Sequence, residues 1–460
     1  MSTSHLASAL VASALFATSA AACAATDSEL AEIREQIRTL KDQYETRIRA
    51  LENRLQAAEA AAPAASASAA SSTLTSTSGA SVSAGIAAFN PAISLVLQGT
   101  YANLSQDPAR YTLAGFAKTP DLSPGRRGLG LGESELALSA NVDDRFAGNL
   151  IVSLTPENAV SVEEAYGFMP SLPNGLVSKF GRFFSGIGYL NEQHQHAWDF
   201  VDAPLAYQAF LGGQFANDGL QLKWVAPSDQ FLEFGAEVGN GDNFPGSARN
   251  RNGVGAGSVF VHTGGDIGAS HSWRAGLSYL ETRAGARAGT QLDTMGRLAD
   301  VAFTGKSRTA IADFVWKYAP NGNTREGNFK VQGEYFLHRE NGDLTYDANG
   351  ALGLTQAGAY AANQSGWYLQ GAWQFMPYWR VGARYDRLNP GRREFGANAD
   401  LLDTGAFHPD RYTVMLDYTP SEFTRFRLQY AQSMTRPDVT DHQLFLQYIL
   451  TLGAHGAHRF

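Results

Sequence analysis

The pattern of apolar and polar positions changes character along the chain. From Pro91 onward it is dominated by two-residue alternation, as in "ISLVLQGTYA", "LQLKWVAP", "FLEFGAEVG", "FRLQYAQ" and "LFLQYILTL". In 231–239, Leu232, Phe234, Ala236 and Val238 share one face, and Glu233, Gly235 and Glu237 share the other. In 411–418, Tyr412, Val414, Leu416 and Tyr418 oppose Arg411, Thr413, Met415 and Asp417. This period places successive side chains on opposite faces of a strand. It suits a soluble sandwich and a membrane barrel equally. The turns separate the two. "WVAPSDQF" (224–231), "YAPNGNTREGNF" (318–329), "FMPYWR" (375–380) and "YTPSEF" (418–423) each set proline at a tight connection with aromatics on both shoulders. Proline presets φ and needs no ladder donor. Amphipathic rings on both shoulders suit a membrane interface. Longer polar loops lie between these turns, and short turns at one rim with long loops at the other describe a bacterial outer-membrane barrel.

Strands can be counted from the turns. Upward strands are expected to begin near 92, 147, 176, 231, 271, 328, 379 and 422. Downward strands are expected near 132–143, 160–169, 218–226, 254–263, 308–318, 366–376, 410–418 and 442–452. The total is sixteen antiparallel strands, an even number that returns both ends to the periplasmic side. Residues 91–460 are therefore read as an all-β transmembrane barrel, wide enough for an aqueous channel. Loop one is expected at 104–131, loop two at 156–159 and loop three at 186–217.

Ahead of the barrel the pattern differs. In 26–60, Leu30, Ile33, Ile37, Leu40, Tyr44, Ile48, Leu51 and Leu55 recur at spacings of three and four, with one stutter at Tyr44. This predicts a coiled-coil helix, placed in the periplasm. Residues 61–90 are uncharged and rich in Ala, Ser and Thr, the composition of a flexible linker. Residues 1–25 fit a signal peptide, with an apolar run from Leu6 to Ala17 and small-residue cleavage points after Ala24 or Ala25. Cys23, the single cysteine, offers a lipidation reading as the alternative.

Composition changes the picture in two ways. A net charge of −8 gives no reason to expect nucleic acid. No nucleophile motif or phosphate-binding glycine loop frames the Ser, His and Asp residues, so neither an enzyme nor a cofactor is expected. The alternation also indicates which charges face the lumen. Arg380, Arg384, Arg425 and Arg427 oppose the apolar face of their strands, and Glu133 and Glu135 do so near the N-terminus. A basic wall and an acidic wall on different parts of the barrel would set a transverse field. The alternative is that they simply solvate a wide lumen. Of the 44 acidic and 36 basic residues, 8 and 6 lie in the helix, leaving 36 and 30 for the barrel. That balance does not by itself favour anions.

Together, the signal peptide, the coiled coil, the sixteen-strand layout, the stretch "GRFFSGIGYLNEQHQHAWDFVDAPLAYQAFLGGQ" (181–214) and the terminal Phe460 resemble the outer-membrane porins of the phosphate-selective O/P type. The resemblance implies passive diffusion of small hydrophilic solutes or ions through the outer membrane of a Gram-negative bacterium. It also implies a homotrimer surrounded by lipid, and Phe460 as a signal to the barrel-assembly machinery. Anion or phosphate preference is an open reading within it. In such porins the third loop folds into the barrel. That implies a pore constriction at Glu192, His194, His196, Asp199 and Asp202, with Trp198, Phe200 and "PLAYQAF" fixing the loop to the wall. With an imidazole pKa near 6.5, acidification is expected to add positive charge there. Two other functions stay open: an envelope tether acting through the coiled coil, and a metal-uptake protein using the histidine loop. For the latter, two ligands are too few for a zinc site.

Overall fold

The computed structural model describes residues 91–453, apart from 120, 121, 156–158, 326 and 404. The expected signal peptide, coiled coil, linker and Phe460 lie outside the described residues. The first eight strands are β1 (Ala92–Leu104), β2 (Gly128–Leu131 and Ser134–Asn141), β3 (Ala147–Leu154), β4 (Val160–Leu172), β5 (Leu176–Phe184), β6 (Ala216–Val225), β7 (Phe231–Gly239) and β8 (Ala256–Ile267). The remainder are β9 (His271–Leu292), β10 (Leu298–Tyr318), β11 (Asn328–Tyr346), β12 (Gln356–Met376), β13 (Trp379–Glu394), β14 (Asp410–Ser421), β15 (Thr424–Arg436) and β16 (Val439–Gly453). Each pairs antiparallel with its sequence neighbours. The barrel closes where β1 pairs β16, from Ser94↔Gly453 to Leu104↔Gln443. The two segments of β2 both pair with β1, at Gly99–Ala102 and at Ala92–Val96. Gly132 and Glu133 between them form a bulge, and the Gly132 amide still donates to the Gln98 carbonyl at 2.9 Å. The strand count is therefore sixteen, as the turn spacing predicts.

The burial pattern is inside out. On β6, Leu220 and Leu222 are exposed, while Gln221 and Lys223 are buried. On β15, Phe426, Leu428 and Tyr430 face out, while Arg427 and Gln429 are buried. On β16, Leu444, Leu446 and Tyr448 face out, while Gln443 and Gln447 are buried. A soluble protein would reverse this. Apolar residues outside and polar residues inside, with every strand edge closed, define a barrel whose solvent is lipid. Aromatic rings gather near these turns. Trp224 stacks on Phe234, Trp316 lies beside Phe329, and Trp379 lies 4.7 Å from Tyr418 between centroids.

Four strands are long, and two of them exceed the spans that the alternation predicted. β9 to β12 have 22, 21, 19 and 21 residues. At roughly 3.3 Å per residue, 22 residues extend about 70 Å, far beyond the 9–11 residues that span a bilayer. β10 begins at Leu298 and β12 at Gln356, each ten residues before the expected start. The extra length is held by its own apolar cluster of Ala299, Val301, Phe303, Leu344, Tyr346, Tyr360, Phe395 and Leu402. Beyond the membrane no lipid-facing side is needed, so the outward apolar alternation used to place the strands fades there.

The outward face gives the first prediction. Leu446 sits at the middle of β16 facing out. Leu446→Arg should destabilise the folded barrel by about 2–4 kcal/mol, the range for a cation at the bilayer midplane. Equilibrium unfolding in lipid vesicles would measure this.

Candidate functional site

The site is built from the segment between β5 and β6, residues 185–215, which packs inside the barrel. Asn191 pins its two ends together. Its Nδ2 donates to the carbonyls of Ser185 (2.8 Å) and Phe215 (2.9 Å), and its Oδ1 accepts from the Phe215 amide at 2.8 Å. Glu334 on β11 clamps the ascending part. Its carboxylate accepts from the amides of Tyr189 and Leu190 at 3.2 and 3.0 Å, and from the hydroxyls of Tyr207 and Tyr368. Gly188 makes this approach possible. Its φ is +67°, and a Cβ there would lie 2.4 Å from a Glu334 oxygen.

Past the histidines the chain forms helix α1 (Leu205–Leu211), all of whose residues are buried. Phe210 packs edge-on against Phe116 of loop one and stacks on Phe336 and His338 of β11. Tyr207, Leu205 and Phe210 belong to one cluster with Tyr111, Leu113 and Leu388. Trp198 and Phe200 are also buried, with Phe200 under the Arg384 guanidinium at 4.7 Å. The apolar attachment expected of Trp198, Phe200 and "PLAYQAF" is therefore present, and loop one contributes the other half of the packing.

Charge fixes the rest of the loop. His194 and His196 face acids. His194 Nδ1 lies 2.9 Å from Glu163 and 3.4 Å from Glu135, and its Nε2 lies 3.1 Å from Glu164. His196 Nδ1 lies 2.8 Å from Glu135. The two rings stack at 5.8 Å between centroids. Glu133 lies beside Glu163, within side-chain hydrogen-bond reach. Burial works against the His194 cation, but the surrounding carboxylates outweigh it and raise its pKa well above 6.5. The gain of charge on mild acidification, expected from an ordinary imidazole, is therefore not available at His194, because the ring already holds its proton at neutral pH.

The aspartates face arginines. Asp199 pairs with Lys330 at 2.9 Å and Arg380 at 2.7 Å. Asp202 pairs with Arg384 at 3.0 Å and with Arg411. Asp386 completes the network, pairing with both Arg384 and Arg411 and accepting from the Leu205 amide at 2.9 Å. Arg427 pairs with Asp417 and donates to the Trp198 carbonyl at 3.0 Å. Arg425 donates to the carbonyls of His196 and Trp198. Glu192 pairs with Lys223 at 2.7 Å. Burial pushes these three loop acids up, but the cations beside them dominate and hold all three below the usual carboxylate range.

Of the residues read from the sequence as lumen walls, Arg380, Arg384, Arg425, Arg427 and Glu135 each contact the loop, and Glu133 lies beside Glu163. The loop lays His194 and His196 against Glu135, Glu163 and Glu164, where carboxylates outnumber imidazoles, and lays Asp199 and Asp202 against Lys330, Arg380, Arg384 and Arg411, where each aspartate meets two cations. Sequence reasoning missed the partners Glu163, Glu164, Lys223, Lys330, Arg411, Asp386 and Glu334. Each occupies an inward position of an alternating strand, which was the available signal, but nothing local indicates which loop residue it meets. Beside the loop lies a cavity of about 690 Å³. Its lining includes Glu135, Glu164 and His194 together with Lys179, Lys223 and Arg274.

Fold and site define a sixteen-strand outer-membrane barrel with a charged internal loop. No protein-family model matches the chain. A protein of Aquifex aeolicus (strain VF5), described as an uncharacterized protein, is 30% identical over 404 residues, covering 81% of this chain and 80% of that one. The chain belongs to the same family as this Aquifex protein. Among solved structures, the trimer form of OmpT from Vibrio cholerae aligns with 79% of this chain and 99% of its own, at 12% identity and a TM-score of 0.49. The outer-membrane channel DcaP of Acinetobacter baumannii aligns over 79% and 97%, at 12% identity and 0.45. The anion-selective porin from Comamonas acidovorans aligns over 79% and 99%, at 10% identity and 0.44.

Two predictions follow from the charge pattern. Asp202→Ala removes a shared partner of the buried Arg384 and Arg411, and breaking such a pair costs about 3–5 kcal/mol. Denaturant midpoints in detergent should fall accordingly, with 186–202 becoming accessible to protease. The second concerns pH. Asp199 and Asp202 have folded pKa values below their unfolded values near 3.8. The stabilisation they give is complete above about pH 4 and is lost only as pH falls through the lower folded values. Amide exchange of 199–205, the stretch these two aspartates fasten, should stay constant from about pH 7 to pH 4.5 after correction for intrinsic rate. Loss of protection near pH 5–6 would contradict it.

Proposed function

We propose that this protein is a passive diffusion channel for small hydrophilic solutes or ions across the outer membrane, with loop three narrowing its lumen. The observation that carries the reading is a closed, inside-out barrel whose polar interior is crossed by a loop fastened to walls of opposite charge. A barrel serving only as an anchor has no need of a polar lumen, nor of a loop fixed from Glu135 on β2 to Arg411 on β14. Glu192, His194, His196, Asp199 and Asp202 are the residues of that constriction in this reading. Anion or phosphate preference is the finer question. Arg380, Arg384 and Arg427 each hold a carboxylate partner, which weakens the case from those three. Among the described residues, Arg425 donates to backbone carbonyls, so it is the one of the four best placed to favour anions.

We further propose a homotrimer. Leu129, Val142 and Val160, on and beside β2, β3 and β4, are highly exposed. This part of the wall offers an apolar face to neighbouring copies. Light scattering of the detergent-solubilised protein, corrected for detergent, would give the state.

Planar-bilayer recording of the purified full chain tests the channel itself, where stepwise conductance is expected and its absence sinks the reading. In a salt gradient, Arg425→Gln should move the reversal potential toward cation preference by more than Arg384→Gln does.

A further inference from the structure

The loop histidines come together with carboxylates from two barrel strands. From this geometry we propose that His194 through Nδ1, Glu135 of β2 and Glu163 of β4 form a binding site for a divalent first-row transition-metal ion such as zinc, with His196 beside Glu135 as a further ligand and Glu164 of β4 orienting His194 from its other ring nitrogen. One ligand atom each from Glu135, Glu163 and His194 lie within 4.8 Å of one another. His194 Nδ1 is 2.9 Å from Glu163 and 3.4 Å from Glu135, and His196 Nδ1 is 2.8 Å from the second oxygen of Glu135. Donors on a tetrahedral ion with bonds of about 2.0–2.1 Å stand roughly 3.3 Å apart, so these separations match a coordination shell after small adjustments. The near-parallel rings, 18° apart, turn both Nδ1 atoms toward one carboxylate, which can bridge or chelate.

Charge points the same way. Three carboxylates surround two imidazoles, and a fourth, Glu133, lies beside Glu163. Glu135, Glu163 and Glu164 each pair with these histidines. Elsewhere the loop acids meet lysine or arginine, as Glu192 meets Lys223 and Asp199 meets Lys330 and Arg380. Here the carboxylates face imidazoles instead. Mixed imidazole and carboxylate donors suit zinc and its first-row neighbours better than magnesium or calcium, which take oxygen ligands. Glu135, Glu164, His194 and His196 also line the cavity beside the loop, so an ion has a route to the site and room for a water in an open position. The site does not depend on the channel reading. A bound ion would join loop three to β2 and β4 whether or not the barrel conducts.

The test is calorimetric titration of the purified full chain in detergent with zinc chloride. The expected result is one saturable site per chain, with affinity at least tenfold weaker in Glu163→Gln and lost in His194→Gln/His196→Gln. His262→Gln, a histidine elsewhere in the barrel wall, should bind as wild type does. An unsaturable wild-type isotherm, or equal affinity in the double variant, overturns the proposal. X-ray absorption of zinc-loaded wild type needs no variant to fold. A shell containing imidazole nitrogen at about 2.0–2.1 Å is expected, and an oxygen-only shell would refute the site.

Discussion

Everything in this molecule depends on the ladder between β1 and β16. In a bilayer there is no water to satisfy an open strand edge, and each unpaired amide or carbonyl costs several kcal/mol. The seam from Ser94↔Gly453 to Leu104↔Gln443 removes both edges together. Closure then dictates the side-chain pattern, because each strand presents one face to lipid and the other to an interior of fixed width. That is why Arg427, with almost no exposed surface, sits one residue from Phe426, which is about half exposed. The bulge at Gly132 and Glu133 belongs to the same constraint. It lets one chain segment pair with β1 along two stretches without breaking the ring.

Once the interior is enclosed, charges inside it need partners, and loop three supplies them in sequence order. Histidines come first and aspartates five to six residues later. From His194 to Asp202 is eight residues, which can reach at most about 29 Å when extended. That is enough to pass from β2 and β4 to β13 and β14. The order of charges in the loop therefore selects which wall each end meets, and exchanging them would set like charges together on both sides. Buried pairs of this kind owe much of their worth to what their loss would leave behind, an isolated charge in a poor solvent. They act as registry devices for the loop more than as sources of net stability. The apolar cluster around Phe210, Tyr207 and Phe116 supplies the non-specific part of the attachment.

Much of the barrel was legible in the sequence for a physical reason. Lipid, tight turns and interfacial rings impose period, proline and aromatics locally, so strand starts at 92, 147, 176, 231, 271, 328 and 379 coincide with those expected. The upper halves of β9 to β12 were not legible. They leave the membrane, and their packing is against one another and against Phe395 and Leu402 rather than against lipid. Within the loop, the residue types were visible but the pairings were not. Glu163 lies 31 residues from His194, and Asp386 lies 181 residues from Leu205. No spacing rule links such positions, since only the closed ring brings them together.

The same reasoning explains why "NEQHQHAWDF" resists interpretation in isolation. Two histidines one residue apart carry no specific chemistry until the fold decides what faces them. Here the fold sets Glu135, Glu163 and Glu164 against them. It also places Trp198 and Phe200 so that the chain cannot withdraw. An ordinary surface imidazole titrates near 6.5 and would make the loop a sensor of mild acid. Among these carboxylates the ring is held as a cation or, in the presence of a suitable metal, as a ligand. Either state keeps the loop fastened to β2 and β4. The environment thus turns a residue best known as a pH switch into a fixed point of attachment.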